Sequence, residues 1–165
     1  MANYDLEGIM DRLPVMQVAA LASLAVPVSC VAVSYWPFVN QGFPYWWNRI
    51  DSMIISYELG GDQELHRYQV SMAMVIGHLT EGYDGELSDA AYTRIAGVLD
   101  YFRQHKNLCD GVTYTTPPDW LWIEDGGARI AAIPNGTRTL ANSGLGVQQV
   151  AVVFNLEIPL LFEVY

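Results

Sequence analysis

The chain has 165 residues, a formal net charge of −10, and only 16% charged residues beside 52% hydrophobic ones. That is the length of one domain with material for a sizeable core, and the scattered eight Lys and Arg exclude a DNA-binding domain, whose affinity comes from clustered cations on phosphates. A charged fraction well below the roughly 25% of ordinary soluble domains leaves apolar surface that is most simply buried against other subunits.

No Asp, Glu, Lys, Arg or His occurs between Leu13 and Asn48. The run is long enough to span a bilayer, but Pro14, Gln17, Ser23, Pro27 and Ser29 interrupt it. The acidic start, with Asp5, Glu7 and Asp11, is the wrong sign for a signal peptide. It reads as core or interface, not membrane. Its first part, Asp5 to Ala25, carries Ile9, Met10, Leu13, Met16, Val18, Leu21 and Leu24 on a broad apolar side and predicts a helix. Pro14 places the expected start near Leu13, where a first-turn proline is tolerated. Valine-rich Val28 to Tyr35 then predicts a strand.

Aromatic residues and prolines crowd the next stretch, Tyr35-Trp36-Pro37-Phe38 and Phe43-Pro44-Tyr45-Trp46-Trp47. Proline fixes φ and removes a donor, so this reads as a rigid connection leaving the strand. Trp36, Phe38, Phe43, Tyr45, Trp46 and Trp47 are accordingly candidate interface residues. Ile50 to Leu59 resumes β character, and Gly60-Gly61-Asp62 breaks it. From His66 to Leu79, Tyr68, Val70, Met72, Met74 and Ile76 alternate with Gln69, Ser71, Ala73, Val75 and Gly77, which predicts a strand in an antiparallel hairpin with its predecessor.

The loop Thr80 to Glu86 carries Glu81, Asp84 and Glu86 without a calcium-loop spacing, and reads as a solvated acidic turn. Ser88 is placed to cap a helix over 88–105, with Leu87 and Tyr92 set for a hydrophobic staple. Ala91, Ile95, Val98, Leu99 and Phe102 form its apolar stripe. Long connections follow at 107–119 and 134–146, lengths that are usually functional or disordered. Both are expected at subunit interfaces, with Tyr114, Pro117, Trp120 and Leu140 supplying apolar contacts and Arg138 pairing with an acidic neighbour. Trp120 to Glu124 and Ala128 to Ile133 flank Asp125-Gly126-Gly127 and predict a second hairpin. In the last segment, Val147 to Tyr165, Val150, Val152, Phe154, Leu156 and Ile158 alternate with polar or small residues, and Pro159 is expected to interrupt or edge the ladder.

This order predicts a single α+β domain, 1–165, in which a mostly antiparallel or mixed sheet packs against an N-terminal helix and a central amphipathic one. His66, His78 and His105 have no metal-ligand spacing, and Cys30 and Cys109 no redox or metal spacing. Gly144-Leu145-Gly146 completes no phosphate-binding fingerprint, and no nucleophile motif is present. No catalytic residue, metal or cofactor is expected, and the chain reads as a non-enzyme.

The element order resembles that of the tail terminator proteins of long-tailed bacteriophages. The match lies at Val31-Ala32-Val33-Ser34-Tyr35-Trp36-Pro37, at Phe43-Pro44, at the helix Leu87 to His105 with Leu108 after it, and at the final strand Gln149 to Ile158. It covers most of the chain as a pattern. It implies a structural virion protein of the tail or neck, assembled in the host cytoplasm. Such a protein forms a ring, usually of six subunits, that caps the tail tube and docks to the head–tail connector. The ring's lumen would pass genomic DNA without binding it tightly, and a net acidic charge suits that. Its partners would be further copies of itself, the tail tube protein and a connector or neck protein. Another phage neck or tail-completion subunit, or a small-molecule-binding α+β domain with an aromatic pocket, would fit the same composition.

Overall fold

Ile9, Leu13, Met16, Ala20 and Leu21 recur at helical spacing, and all are buried along one side of α1, Leu6–Ala22, in the computed structural model. The structure describes residues 6–24, 32–33, 45–60, 62–78, 89–132, 138–142 and 147–163, with side chains over 7–24, 45–53, 62–75, 92–131 and 151–161. The helix thus begins at Leu6 rather than near Leu13 and runs through Pro14. Pro14 cannot donate to the Met10 carbonyl, at a cost of about 3 kcal/mol. The buried stripe stays in phase on both sides of it, and each large aliphatic side chain buried contributes about 1.5–3 kcal/mol. Tertiary packing outweighs local propensity here.

β1, Ala32–Val33, lies parallel to the start of β2, Tyr45–Gly60, at Trp46 and Trp47. The remainder of the expected Val28–Tyr35 strand lies outside the described residues. β2 and β3, Gln63–His78, form the expected antiparallel hairpin. Tyr45, Trp46 and Trp47 are not in a connection: they open β2, opposite Val75, Met74 and Ala73. Aromatic side chains favour strands, and these three find partners on β3 that the local sequence does not reveal.

The central helix, α2, spans Asp89–Gln104, with Val98 and Phe102 buried as the periodicity predicts. Gly97 lets it lie close to the chain leaving α1, since a Cβ there would come within 2.3 Å of Leu24 Cδ2. Then come β4, Arg129–Ala132, β5, Arg138–Asn142, and β6, Val147–Glu163. The sheet runs β1-β2-β3-β6-β4, and β5 also pairs with β6. Among the described strands, only β1 is parallel to its neighbour. This is the expected α+β architecture, with the helices packed on the sheet.

Three expectations for the β-rich half fail. Among the described residues, 120–124 and 128–132 do not pair with each other: Leu121 bridges Leu160, and β4 pairs with Glu157 and Leu156, so both lie along the same edge of β6. A 3₁₀ turn at Ile123–Asp125 separates them, closed by Gly126 and Gly127 at φ 92° and 70°. Gly127 also abuts the Lys106 carbonyl, 2.4 Å from where a Cβ would stand. Pro159 does not end β6, which pairs with β3 on both sides of it. The Pro159 carbonyl accepts from Trp122 N at 3.0 Å. In a strand, N and C=O of one residue point the same way, so the missing donor faces the place where the edge chain peels off into the 3₁₀ turn. Finally, the expected loop 134–146 contains β5, in antiparallel register from Arg138↔Ala151 to Asn142↔Val147.

The main core lies between helices and sheet. Trp46 and Phe154 meet there with ring centroids 5.8 Å apart, among Tyr68, Val70, Met72, Met74, Val152, Leu156 and Ile158. Gln17 of α1 and Asn48 of β2 exchange two side-chain hydrogen bonds of 2.6 and 2.9 Å inside it, and both are buried. A second, smaller cluster of Tyr45, Ala73, Val75, Ala151 and Val153 occupies the opposite face of the sheet, with Trp47 packed against it.

Candidate interaction face

Beyond that small cluster, the face of the sheet turned away from the helices becomes polar. Alternation along β2, β3 and β6 brings Arg49, Asp51, Ser71, Gln69, Arg67, Asn155 and Glu157 to this side. Arg129 arrives from β4 and Asp125 from the 3₁₀ turn. Glu157 is the hub. It accepts from Gln69 Nε2 at 2.8 Å and from Arg129, and Arg67 Nη1 lies 3.6 Å away. Arg67 also donates to Asp125 at 2.8 Å, while its Nε is buried with no acceptor. Ser71 reaches Asp51 and, at 3.3 Å, Asn155, and Arg49 pairs with Asp51 at 2.7 Å. Burial pushes the Glu157 carboxyl up. Hydrogen bonds from Arg129 and Gln69 and the charges of Arg129 and Arg67 more than reverse this, holding it below its ordinary value. Three of the chain's eight basic residues are thus matched with carboxylates on one face.

The connection after α2 is the second feature. Leu108 takes φ 55°, unusual for leucine, and is fully buried. It redirects the chain into a tight loop organised by Asp110, whose carboxylate accepts the amides of Val112, Thr113 and Tyr114 at 3.3, 3.1 and 2.7 Å. Partial burial opposes ionisation, yet those amides dominate and lower the Asp110 pKa. Arg12 of α1 reaches into the mouth of this loop. Its Nη1 donates to Leu108 O at 2.9 Å and Thr116 O at 3.2 Å, and its guanidinium lies 4.1 Å from the Tyr114 ring centre. The tip presents Val112, 85% exposed.

The ten candidate interface residues scatter. Trp36, Phe38 and Phe43 lie outside the described residues. Tyr45 and Trp46 are fully buried in their own chain, which leaves them no surface to offer another. Trp47 is half-buried against the smaller cluster. Tyr114 is under Arg12, and Trp120 packs against the main core while its carbonyl accepts from Leu161 N at 3.1 Å. Arg138 and Leu140 stand in β5 opposite Ala151 and Gln149, and their side chains lie outside the described residues.

Sequence reasoning missed Arg12 and Glu157. A lone arginine before an uncharged run, and a glutamate on the otherwise uncharged second face of the last strand's alternation, were the available signals. Asp110 followed by Gly111 was a third. Among the described residues, no group of His, Cys, Asp and Glu could hold a metal. His66 Nε2 instead meets Glu64 at 2.9 Å, and His105 stacks on Tyr101 with ring centres 4.0 Å apart. Nor is any helix of the described residues long and apolar enough to cross a membrane. No protein-family profile matches this sequence, and a comparison with curated proteins finds no match.

Proposed function

We infer that the chain is a non-catalytic building block of a closed assembly, and specifically a tail terminator subunit. In this reading, copies form a ring, of six subunits by the resemblance, that caps a phage tail tube and meets the head–tail connector. Genomic DNA passes an acidic lumen without tight binding, and the protein resides in the tail or neck of the virion.

The observation that carries the reading is the order and pairing of elements. A helix is followed by a short strand, a long hairpin, one amphipathic helix and a β-rich half closing on an apolar strand. This order supports the reading, and the aromatic-proline connection that belongs to the resemblance lies largely outside the described residues. Low charge supports it further, because a chain with 16% charged residues gains by burying surface between subunits.

Negative-stain electron microscopy of the purified protein tests the inference. Closed rings with a central opening are expected, whereas a homogeneous monomer at every concentration would refute it. A gel-shift titration with duplex DNA at physiological salt should show no submicromolar binding.

A further inference from the structure

The guanidinium of Arg12 is oriented by neutral groups alone. Two backbone carbonyls hold Nη1 and the Tyr114 ring flanks the plane. Among the described residues no carboxylate lies within ion-pair distance of it, although Arg49, Arg67, Arg103 and Arg129 each have one. Arg94 and Lys106 likewise have no ion pair among the described residues, and Arg12 differs in that two carbonyls and a ring fix its direction. Among the described residues, its Nε and Nη2 have no acceptor. They form a fork suited to a carboxylate, and the three contacts have already fixed its direction.

Beside it stands a surface built for contact. From Gly111 to Pro118 there is no charged residue. Of the two acids that flank it in sequence, Asp119 is exposed at the far end, and Asp110 is turned inward onto three amides of the same loop. That bonding holds the tip in one shape, so little ordering entropy is lost when it is covered. A rigid neutral tip led by Val112, rimmed by one uncompensated cation, has the anatomy of an interface core with a charged edge.

We propose that Arg12 and the 111–117 tip form a docking surface for a second copy of this chain, with an Asp or Glu of that copy received by the Arg12 fork. Charge complementarity selects the occupant, since each further copy of this chain brings 18 acidic residues against eight basic ones. The assignment rests on the self-assembly reading and adds to it which surface mediates one contact.

The test measures self-association of the full chain by light scattering across concentration at low and high salt. It compares Val112→Asp and Arg12→Gln with the unaltered protein. A benzophenone amino acid at position 112 is photo-crosslinked in parallel. Each substitution should weaken association by about tenfold or more, and salt should weaken the unaltered protein more than Arg12→Gln. Val112→Asp should melt like the unaltered protein because Val112 is 85% exposed. Crosslinks should join two copies through an acidic segment. If the protein assembles but Val112→Asp leaves the midpoint unmoved and crosslinks stay within one chain, this surface is wrong while self-assembly stands. A protein that remains monomeric at low salt up to its solubility limit overturns both. Because Val112→Asp and the crosslink leave Arg12 in place, a poorly folded Arg12→Gln protein does not rescue the idea.

Discussion

The face of the sheet beneath the helices and the face turned away from them are built from the same strands, β2, β3 and β6, yet they solve different problems. Under the helices, Trp46, Val70, Met72, Phe154 and Leu156 form an apolar layer in which Gln17 and Asn48 are a buried polar pair. On the other face the apolar cluster around Tyr45 and Val75 gives way to a band where every described charge is matched. The first face draws its stability from burial, which is insensitive to pH and salt. The second depends on ion pairs at half-exposed positions, which are weaker and condition-dependent. One strand pattern of period two delivers both.

Substitutions on the two faces should therefore differ in size and in sensitivity to conditions. Phe154→Ala removes a fully buried ring from the helix side and should lower unfolding free energy by about 3–5 kcal/mol. Urea denaturation at two salt concentrations should give the same loss at both. Gln17→Met strands the Asn48 amide in the core, and the expected loss is about 1–3 kcal/mol. Combining it with Asn48→Leu should recover most of that loss, and a double variant as unstable as the single one would show that the pair does more than satisfy itself.

Glu157→Gln removes the hub charge of the opposite face. Its side chain is 15% exposed and that of Arg67 22%, so the expected loss near neutral pH is about 1–2 kcal/mol, between surface and buried pairs. The folded protein holds this carboxyl below its ordinary value. Its contribution is then complete above the unfolded value of about 4.3 and is lost as pH falls through the lower folded value. Denaturation curves from about pH 5 to about pH 3 should converge for the unaltered and substituted proteins. Constant separation across that range would contradict the sign. Smallest is Asp110→Ala, which frees three amides to find water and should cost about 1 kcal/mol, as loss of a capping carboxylate does. Amide exchange should accelerate at residues 112–114 and not in α2.

Much of this was legible in the sequence where one pattern had no competitor. α2 combined a clean stripe with cap chemistry, and β3 and β6 each alternated over ten residues, 68–77 and 149–158, so period alone located both. The misreadings came where a local rule met a tertiary contact. Pro14 signals a helix start, but the stripe from Ile9 to Leu21 keeps the helix intact. The aromatic-proline cluster resembles a loop, while Tyr45 and Trp46 are buried because β3 supplies partners the local sequence cannot reveal. Asp125-Gly126-Gly127 has the chemistry of a hairpin turn and is spent on a 3₁₀ turn instead, since β6 competes for both flanking segments. The candidate face was harder still. Arg12 and Tyr114 are 102 positions apart, and nothing in local composition brings them together.

The buried amide pair has a consequence for how α1 finds its seat. A helix whose inner side is methionine, leucine and alanine can ride over a sheet of methionine and valine with little change in buried area. Such a contact is slippery. Gln17 and Asn48, bonded at 2.6 and 2.9 Å, make it keyed. Sliding by one helical turn, about 5.4 Å, would leave both amides in hydrocarbon without partners, at about 1–3 kcal/mol for each. The pair adds little to the correct seating and penalises every neighbouring one. It acts as a detent, giving one position to a contact that hydrophobicity alone would leave degenerate.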